Sequence, residues 1–354
     1  GQQTAPETRE SPRRDRDILP MVTVRSYLGR ASQGSVSQLL RYDGNMAEAS
    51  FHQPVLVREA VEHLAVRPGG IYVDATVGEG GHALSVLQAS APLGQVLGID
   101  LDPRPLARAT QRLEVYGSRF IPARGNYAHL ADLARANGLT QVDGVLLDLG
   151  FSSLQLEAEG YGFSFQKDEP LDMRYDPDAP RTAAHIVNTY PQEELARLLF
   201  RYGEEPRART IARAIAQARP LNSTRQLANL VVAALGRRRD RRIHPATRTF
   251  QALRIAVNQE LDNLAAGLPA VIRLLAPEGR LVVISYHSLE DRLVKTALAR
   301  ESAGCICPPG LPVCVCQHQP TVRVLTRRVI RPTLDEVRSN PRSRSARMRV
   351  AQRL

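Results

Sequence analysis

Tryptophan is missing from this 354-residue chain, aromatic side chains make up only 5% of it, and lysine occurs only at Lys167 and Lys295. Cysteine is scarce as well: the four present all lie between Cys305 and Cys316. That confinement excludes a fold stapled throughout by disulfides. No apolar run approaches the roughly 20 residues that cross a bilayer. The N-terminal residues also lack the apolar core of a secretory signal. A cytoplasmic location with no membrane partner is therefore expected. What the chain does have is 43% apolar residues, enough for a sizeable core, and a formal net charge of +11 carried almost wholly by arginine. A GC-rich genome would account for the arginine-to-lysine ratio but not for the excess of positive charge. That excess suits a polyanionic partner, because guanidinium groups contact phosphates bidentately. Charge alone does not separate RNA from DNA or from an acidic protein.

Residues 1–45 differ in character from the rest. Segments such as "ETRESPRRDRD" and "GRASQGSVSQ" are polar, rich in Gly, Ser and Arg, and aperiodic, so they read as a disordered leader. Met46 precedes the first organised segment, which suggests an upstream extension or a misplaced start. The acidic Glu7, Glu10, Asp15 and Asp17 argue against a transit peptide. From Phe51 onward, strand-like and helix-like runs alternate. "PVLVREAVEHLAV" reads as a helix with Leu56, Ala60, Val61 and Leu64 on one face. "GIYVDAT", "GQVLGIDLD", "RFIPARGN" and "VDGVLLDLG" read as strands separated by helices, which implies a parallel sheet covered on both faces. Residues 156–245 break this rhythm with helix and turn signals and no apolar strand, marking a mostly helical insertion. The α/β pattern resumes with a long helix from Thr249 to Leu275, expected to break near Pro269. The strand "GRLVVISY", the helix "SLEDRLVKTALAR" and two late strands, "VRVLTRRVI" and "SARMRVAQ", follow; the last two are expected to close the sheet as a terminal hairpin.

The segment "VDATVGEGGHALSV" (73–86) poses the functional question. Gly78, Gly80 and Ala83 satisfy the dinucleotide fingerprint G-x-G-x-x-G/A, so the glycines alone admit a nicotinamide coenzyme. Electrostatics decides against it. A dinucleotide sets a doubly negative pyrophosphate at the helix N-terminus, yet this loop is flanked by Asp74, Glu79 and the strand-terminal Asp148. At about 5 Å and an effective dielectric of about 20, each like-charge pair costs roughly 3 kcal/mol. S-adenosylmethionine carries a sulfonium and an ammonium and no phosphate, and is the better guest. Asp74 is then expected to take the ammonium, and Asp100, ending the second strand, to accept both ribose hydroxyls. A helix cap or turn role is the plain alternative for each.

In these and further segments the chain resembles the RsmH (MraW) family. The motifs that carry the likeness are "HQPVL" (52–56), "YVDATVGEGGH" (72–82), "VDGVLLDLGFSS" (142–153), "GFSF" with "LDMR" (162–174), "HPATRTFQALRIAVNQEL" (244–261), "ISYHSLEDR" (284–292) and "NPRSRSARMRV" (340–350). They occur in the family's order and span residues 51–354. The resemblance implies a Rossmann-like class I S-adenosylmethionine-dependent methyltransferase domain, residues 46–155 and 246–354, with residues 156–245 inserted for RNA recognition. It also implies methylation of N4 of a cytidine in the decoding region of small-subunit (16S) rRNA within the ribosomal subunit. Gly80, Gly81 and His82 match the family's donor loop, Asp100 its ribose acid, Tyr127 an aromatic beside the adenine, and Asp148 and Gln155 two further donor positions. Tyr127 stands where the family usually has Phe, and Leu154 where it usually has Pro.

Methyl transfer from a sulfonium is an in-line displacement, so positioning supplies much of the rate. The acceptor is the harder problem, because the cytosine N4 lone pair is delocalised into the ring. A group accepting an N4–H bond eases that, and Asp148, at a strand's carboxyl end, is the first candidate. Related amino-methyltransferases place an aromatic after a Pro-Pro pair here. This chain has "DLGF", which leaves Phe151, Phe163 and Phe165 as stacking candidates or core residues. In "YHSLEDR", His287, Glu290 and Asp291 either hold the acceptor or RNA backbone, or belong with Ser288 to a helix start. His82 reads as a loop-ordering group. The run "GRRRDRRIHPATR" (236–248) packs six arginines into thirteen residues and suits phosphate contact. "NPRSRSARMR" is basic too and reads equally as structure or RNA contact. Cys305, Cys307, Cys314 and Cys316 form two C-x-C pairs, either a structural zinc loop or free thiols; a disulfide is not expected in a reducing cytosol. No catalytic metal is expected. Two rival functions remain: a methyltransferase acting on a non-RNA substrate, which lacks salt-dependent RNA binding, and a donor-binding ribosome assembly factor without turnover.

Overall fold

The computed structural model describes residues 53–236, 244–308 and 313–354. The expected leader and the arginines at 237–239 and 241–242 lie outside these described residues. Ile71–Asp74 (β1), Gln95–Asp100 (β2), Phe120–Arg124 (β3), Val142–Asp148 (β4) and Leu275–Ser285 (β5) form a parallel sheet. Its central strands read as near-continuous apolar runs because both faces are covered. In β4, Val145 and Leu147 enter one core while Leu146 enters the other, as a period of two demands. β5 repeats the division, with Leu281 and Val283 on one side and Val282 and Ile284 on the other.

The sheet order is β3-β2-β1-β4-β5-β7-β6, with Val322–Val324 as β6 and Arg347–Arg353 as β7. β7 runs antiparallel between β5 and β6. β1 lies between β2 and β4, so the strand order reverses there and leaves a crevice at the carboxyl ends of β1 and β4. This is the Rossmann-like α/β arrangement expected. Val57–Leu64 (α1), Gly81–Ala89 (α2) and Pro103–Arg112 (α3) pack on one face, with Leu56, Ala60 and Leu64 buried as their spacing requires. Leu130–Ala136 (α4) joins the opposite core. Ser153–Glu157 (α5) follows β4.

Ala183–Thr189 (α6), Gln192–Gly203 (α7), Ala208–Ala218 (α8) and Thr224–Leu235 (α9) share a separate apolar core. α7 shows why: Leu195, Leu198 and Leu199 fall on one face and are buried, while Glu193 and Glu194 sit in its first turn, where the helix dipole favours acids. Thr247–Asn258 (α10) belongs to the same core through Phe250, Leu253 and Ala256.

Two expectations about element ends are corrected. The long helix breaks at Gln259, which has a left-handed φ of 51°, and Pro269 lies inside Glu260–Leu274 (α11). Side chains force the break. Asn258 accepts from the Tyr175 amide and donates to the Met173 carbonyl, and Arg254 grips Glu260 across the turn. The late hairpin forms, but its first strand is three residues long and its connection is wide. Leu325 and Thr326 both donate to the Val350 carbonyl, the chain bulges out at Arg327 and Arg328, and Ile330 pairs again with Met348. Ser288–Glu301 (α12) and Leu334–Ser339 (α13) complete the described α-helices.

Candidate active site

The crevice contains a cavity lined by the loop after β1, the ends of β2 and β4, and α11. Its floor is set by glycines. Gly78 has φ +52° and donates its amide to Asp100 Oδ2 at 2.8 Å. Gly80 has φ +79°, and a Cβ there would lie 3.1 Å from Leu113 and 3.2 Å from Ala109, so it packs the loop onto α3 rather than lining the cavity. A Cβ on Gly81 would meet Pro54 at 2.7 Å.

Asp100 lines the cavity, and the Asp102 amide donates to its other oxygen at 2.9 Å. Each oxygen thus keeps a lone pair for a further donor. Asp148 receives the Tyr286 hydroxyl on Oδ1 at 2.8 Å, and its own amide donates to Thr76 Oγ1 at 2.7 Å. His82 Nε2 lies 2.9 Å from the Val55 carbonyl, which can only accept, so that nitrogen carries the proton. Nδ1 then faces Asp148 Oδ2 at 3.7 Å. His82 therefore orders the loop against the segment before α1, as expected, and burial pushes its pKa down.

Burial raises the carboxyls around the crevice: Asp148 to about 7, Asp100 to about 6 and Asp74 to about 6. Glu290 strengthens the effect at Asp148, against the Tyr286 hydrogen bond. At Asp74, His82 opposes the shift while Asp148 and Asp100 add to it.

Three expectations change. Asp74 is 2% exposed and lies beneath the loop, outside the cavity lining, so direct contact with a ligand ammonium is not its role. Its Oδ2 has no hydrogen-bond partner, which leaves a buried acidic oxygen under the floor. Glu79 is not an uncompensated charge, because Arg108 pairs with it at 2.9 Å. His287 and Glu290 form a capping box at the start of α12: the Glu290 amide donates to His287 Nδ1, and Glu290 Oε2 accepts from the amides of Tyr286 and His287. The helix-start reading of these two is what the geometry shows: they position the Tyr286 loop, while Glu290 also lines the first cavity and His287 the one beside it. Burial would raise the Glu290 carboxyl, but His287 and Arg254 together hold it below its ordinary range. Asp291 pairs with Arg347 and Arg349, clamping β7 rather than facing RNA.

Gln155 lines the cavity, yet both ends of its amide are engaged. Oε1 accepts from the Ser152 amide and Nε2 donates to the buried Asp102. It locks the segment after β4 to the start of α3. Tyr127 lines the cavity with its hydroxyl near the Glu260 carbonyl. Tyr286, Tyr175, Asn258, Glu260 and Asn263 also line it and were not singled out from the sequence. The available signal was "VNQEL", where polar residues interrupt an apolar helical period.

A second cavity adjoins the first and shares Asp148, Phe151 and Tyr286 with it. Phe151, 37% exposed, stacks on Phe163 at 5.6 Å and lies beneath the Arg254 guanidinium. Phe165 stacks on His244 and meets Phe250 edge-on. Arg342 and Arg344, from the basic C-terminal motif, line the rim.

The strand order, the crevice at its reversal and the glycine loop over an acidic floor define the Rossmann-like fold of the class I methyltransferases. The chain belongs to the MraW methylase family, which it matches over residues 49–354. It is 57% identical to the ribosomal RNA small subunit methyltransferase H of Thermomicrobium roseum over 306 residues, covering 86% of this chain and 94% of that one. The protein of the same name from Dehalococcoides mccartyi is 52% identical over 303 residues, 86% of each chain. Among solved structures, an rRNA methylase from Streptococcus thermophilus is 11% identical with a TM-score of 0.39, covering 84% of this chain and 96% of that one. No helix among the described residues is long and apolar enough to cross a membrane.

Proposed function

We propose that this chain transfers a methyl group from S-adenosylmethionine to N4 of a cytidine in the decoding region of small-subunit rRNA. One observation carries the reading: Asp148 lines both cavities, so a single carboxyl borders the donor side and the acceptor side. The residues present fit the donor. Buried carboxyls raised toward neutrality favour a cation, and Asp100 keeps an acceptor on each oxygen for vicinal hydroxyls. Tyr127 offers a ring face for the adenine.

When bound, the donor supplies an electrophilic methyl on a sulfonium. The chain's own residues do the remainder. Tyr286 and the Thr76 hydroxyl fix Asp148 from two sides. Asp148 accepts a hydrogen bond from the cytosine N4–H, which draws the nitrogen lone pair out of ring conjugation. It then takes the proton released as the new N–C bond forms and the methyl C–S bond breaks, its electron pair leaving with the thioether. A positive charge in the cavity favours the ionised carboxylate this requires. Phe151, exposed at the junction and backed by Phe163, stacks the base. Arg342, Arg344 and the arginines of 236–248 contact phosphates, and residues 156–245 face the RNA.

Incubating the protein with donor and small subunits that lack the modification, then digesting the rRNA to nucleosides for mass spectrometry, tests this. N4-methylcytidine at one position is expected. Methylation on carbon 5, or none, refutes the reading.

A further inference from the structure

Residues 302–321 join α12 to β6 without helix or strand among their described members. Connections of this length inside a compact unit are uncommon unless something orders them. An apolar core does not: Ile306, Val313 and Val315 are 37%, 70% and 73% exposed. What converges is sulfur. Cys305 and Cys314 Sγ lie 3.4 Å apart, Cys314 and Cys316 3.5 Å, Cys305 and Cys316 3.8 Å, and Cys307 and Cys314 4.0 Å. All four lie within 4.8 Å of one another. These separations are far beyond a disulfide bond of about 2.05 Å. They bracket the edge, about 3.8 Å, of a tetrahedron whose centre is about 2.3 Å from each sulfur, the zinc–thiolate distance.

The backbone supports the same geometry reciprocally. Ile306, between the first two cysteines, donates its amide to Cys316 Sγ at 3.4 Å, and Val315, between the last two, donates to Cys307 Sγ at 3.4 Å. The Cys307 amide donates to Cys305 Sγ. Each C-x-C pair thus solvates a sulfur of the other, an arrangement suited to thiolates, whose charge needs amide donors. The segment is tied down at its end by His318 Nε2 against the Arg300 carbonyl and by the Thr321 amide on the Glu301 carbonyl.

We propose that Cys305, Cys307, Cys314 and Cys316 bind one zinc ion as a closed, structural site. Four sulfurs fill a tetrahedral shell, so no position is left for water or substrate. Binding displaces the thiol protons and forms four zinc–sulfur bonds with no change of oxidation state. The ion replaces the core this segment lacks and fixes the C-terminal end of α12, whose N-terminal end carries the Tyr286–Glu290 cap of the active site.

The test uses the full chain, produced with zinc in the medium and purified without a metal-affinity step. Elemental analysis is expected to give one zinc per chain, released to a chromogenic chelator by a mercurial that titrates thiols. Converting all four cysteines to serine abolishes that zinc. If the variant does not fold, wild-type protein stripped of metal and titrated with cobalt(II) reports the site through the thiolate charge-transfer and d–d bands of a tetrahedral complex. Hydrogen exchange of residues 302–321 rises on stripping, while binding of S-adenosylhomocysteine is unchanged. Absence of zinc, iron in its place, zinc surviving in the four-serine variant, or exchange that ignores the metal would each overturn the proposal.

Discussion

On the proposed donor side of Asp148 the crevice holds Asp100, bonded by two backbone amides, under a glycine loop; on the other side it is made of aromatic rings and arginines. The proposed donor side is built mainly on consecutive strand ends and their loops, Ala75 to Gln155, and completed by residues of α10, α11 and the Tyr286 loop. The acceptor side gathers Phe151, Phe163, Phe250 and Arg342 from distant parts of the sequence. The difference is one of tolerance. A parallel sheet fixes its strand ends rigidly, so an acidic floor under a glycine loop can be costly when unoccupied and still persist. A stacking wall needs only a flat ring and a neighbouring cation, and several elements can supply them.

Removing the carboxyl common to both sides has the largest expected effect. Asp148→Ala lowers the single-turnover methylation rate by about 10²–10⁴-fold, the range of a lost general base, while leaving RNA binding intact. Asp100→Ala then separates the sides. It removes an acceptor bonding to ligand hydroxyls, at about 1.5–3 kcal/mol, and weakens donor binding by about 10–100-fold without moving RNA affinity. Phe151→Ala does the reverse at smaller scale. Losing about 1–3 kcal/mol of base stacking raises the KM for RNA at least about fivefold, and calorimetric donor affinity, touched only at the edge of the first cavity, falls by less. Equal losses on both ligands from Phe151→Ala would erase the distinction.

The sequence showed more of the donor side than of the acceptor side, for a physical reason. Strand periodicity and the glycine turn are local signals, so Asp100, Asp148 and the loop could be placed before any coordinates. The alternation of strands and helices implied a parallel sheet covered on both faces, but its strand order came only with the structure. Tyr286 was passed over because nothing local tells that its hydroxyl meets a carboxylate 138 positions away. His287 and Glu290 stayed ambiguous, since a helix cap and a ligand-holding pair look alike in one dimension. Pro269 misled, because tertiary packing keeps it inside α11, while Arg254, Asn258 and Glu260 together impose the break at Gln259. Asp74 was recognised as acidic and adjacent, but its burial beneath the loop depends on β1 lying between two neighbours.

The acidic floor has a thermodynamic signature. Carboxyls raised to about 6 and 7 bind more protons in the folded protein than unfolded. Without ligand, their contribution to stability therefore falls as pH rises from the ordinary carboxylate range toward about 7, and levels off above it. A bound cation lowers these pKa values, so its affinity rises across the same window.

Calorimetry of S-adenosylmethionine binding at about pH 6.5, run in two buffers of different ionisation enthalpy, measures the protons exchanged. The cation-selecting crevice predicts proton release on the order of one per site, with less for S-adenosylhomocysteine, which lacks the sulfonium. Binding without proton release, or tighter binding of a nicotinamide dinucleotide than of either ligand, would contradict it.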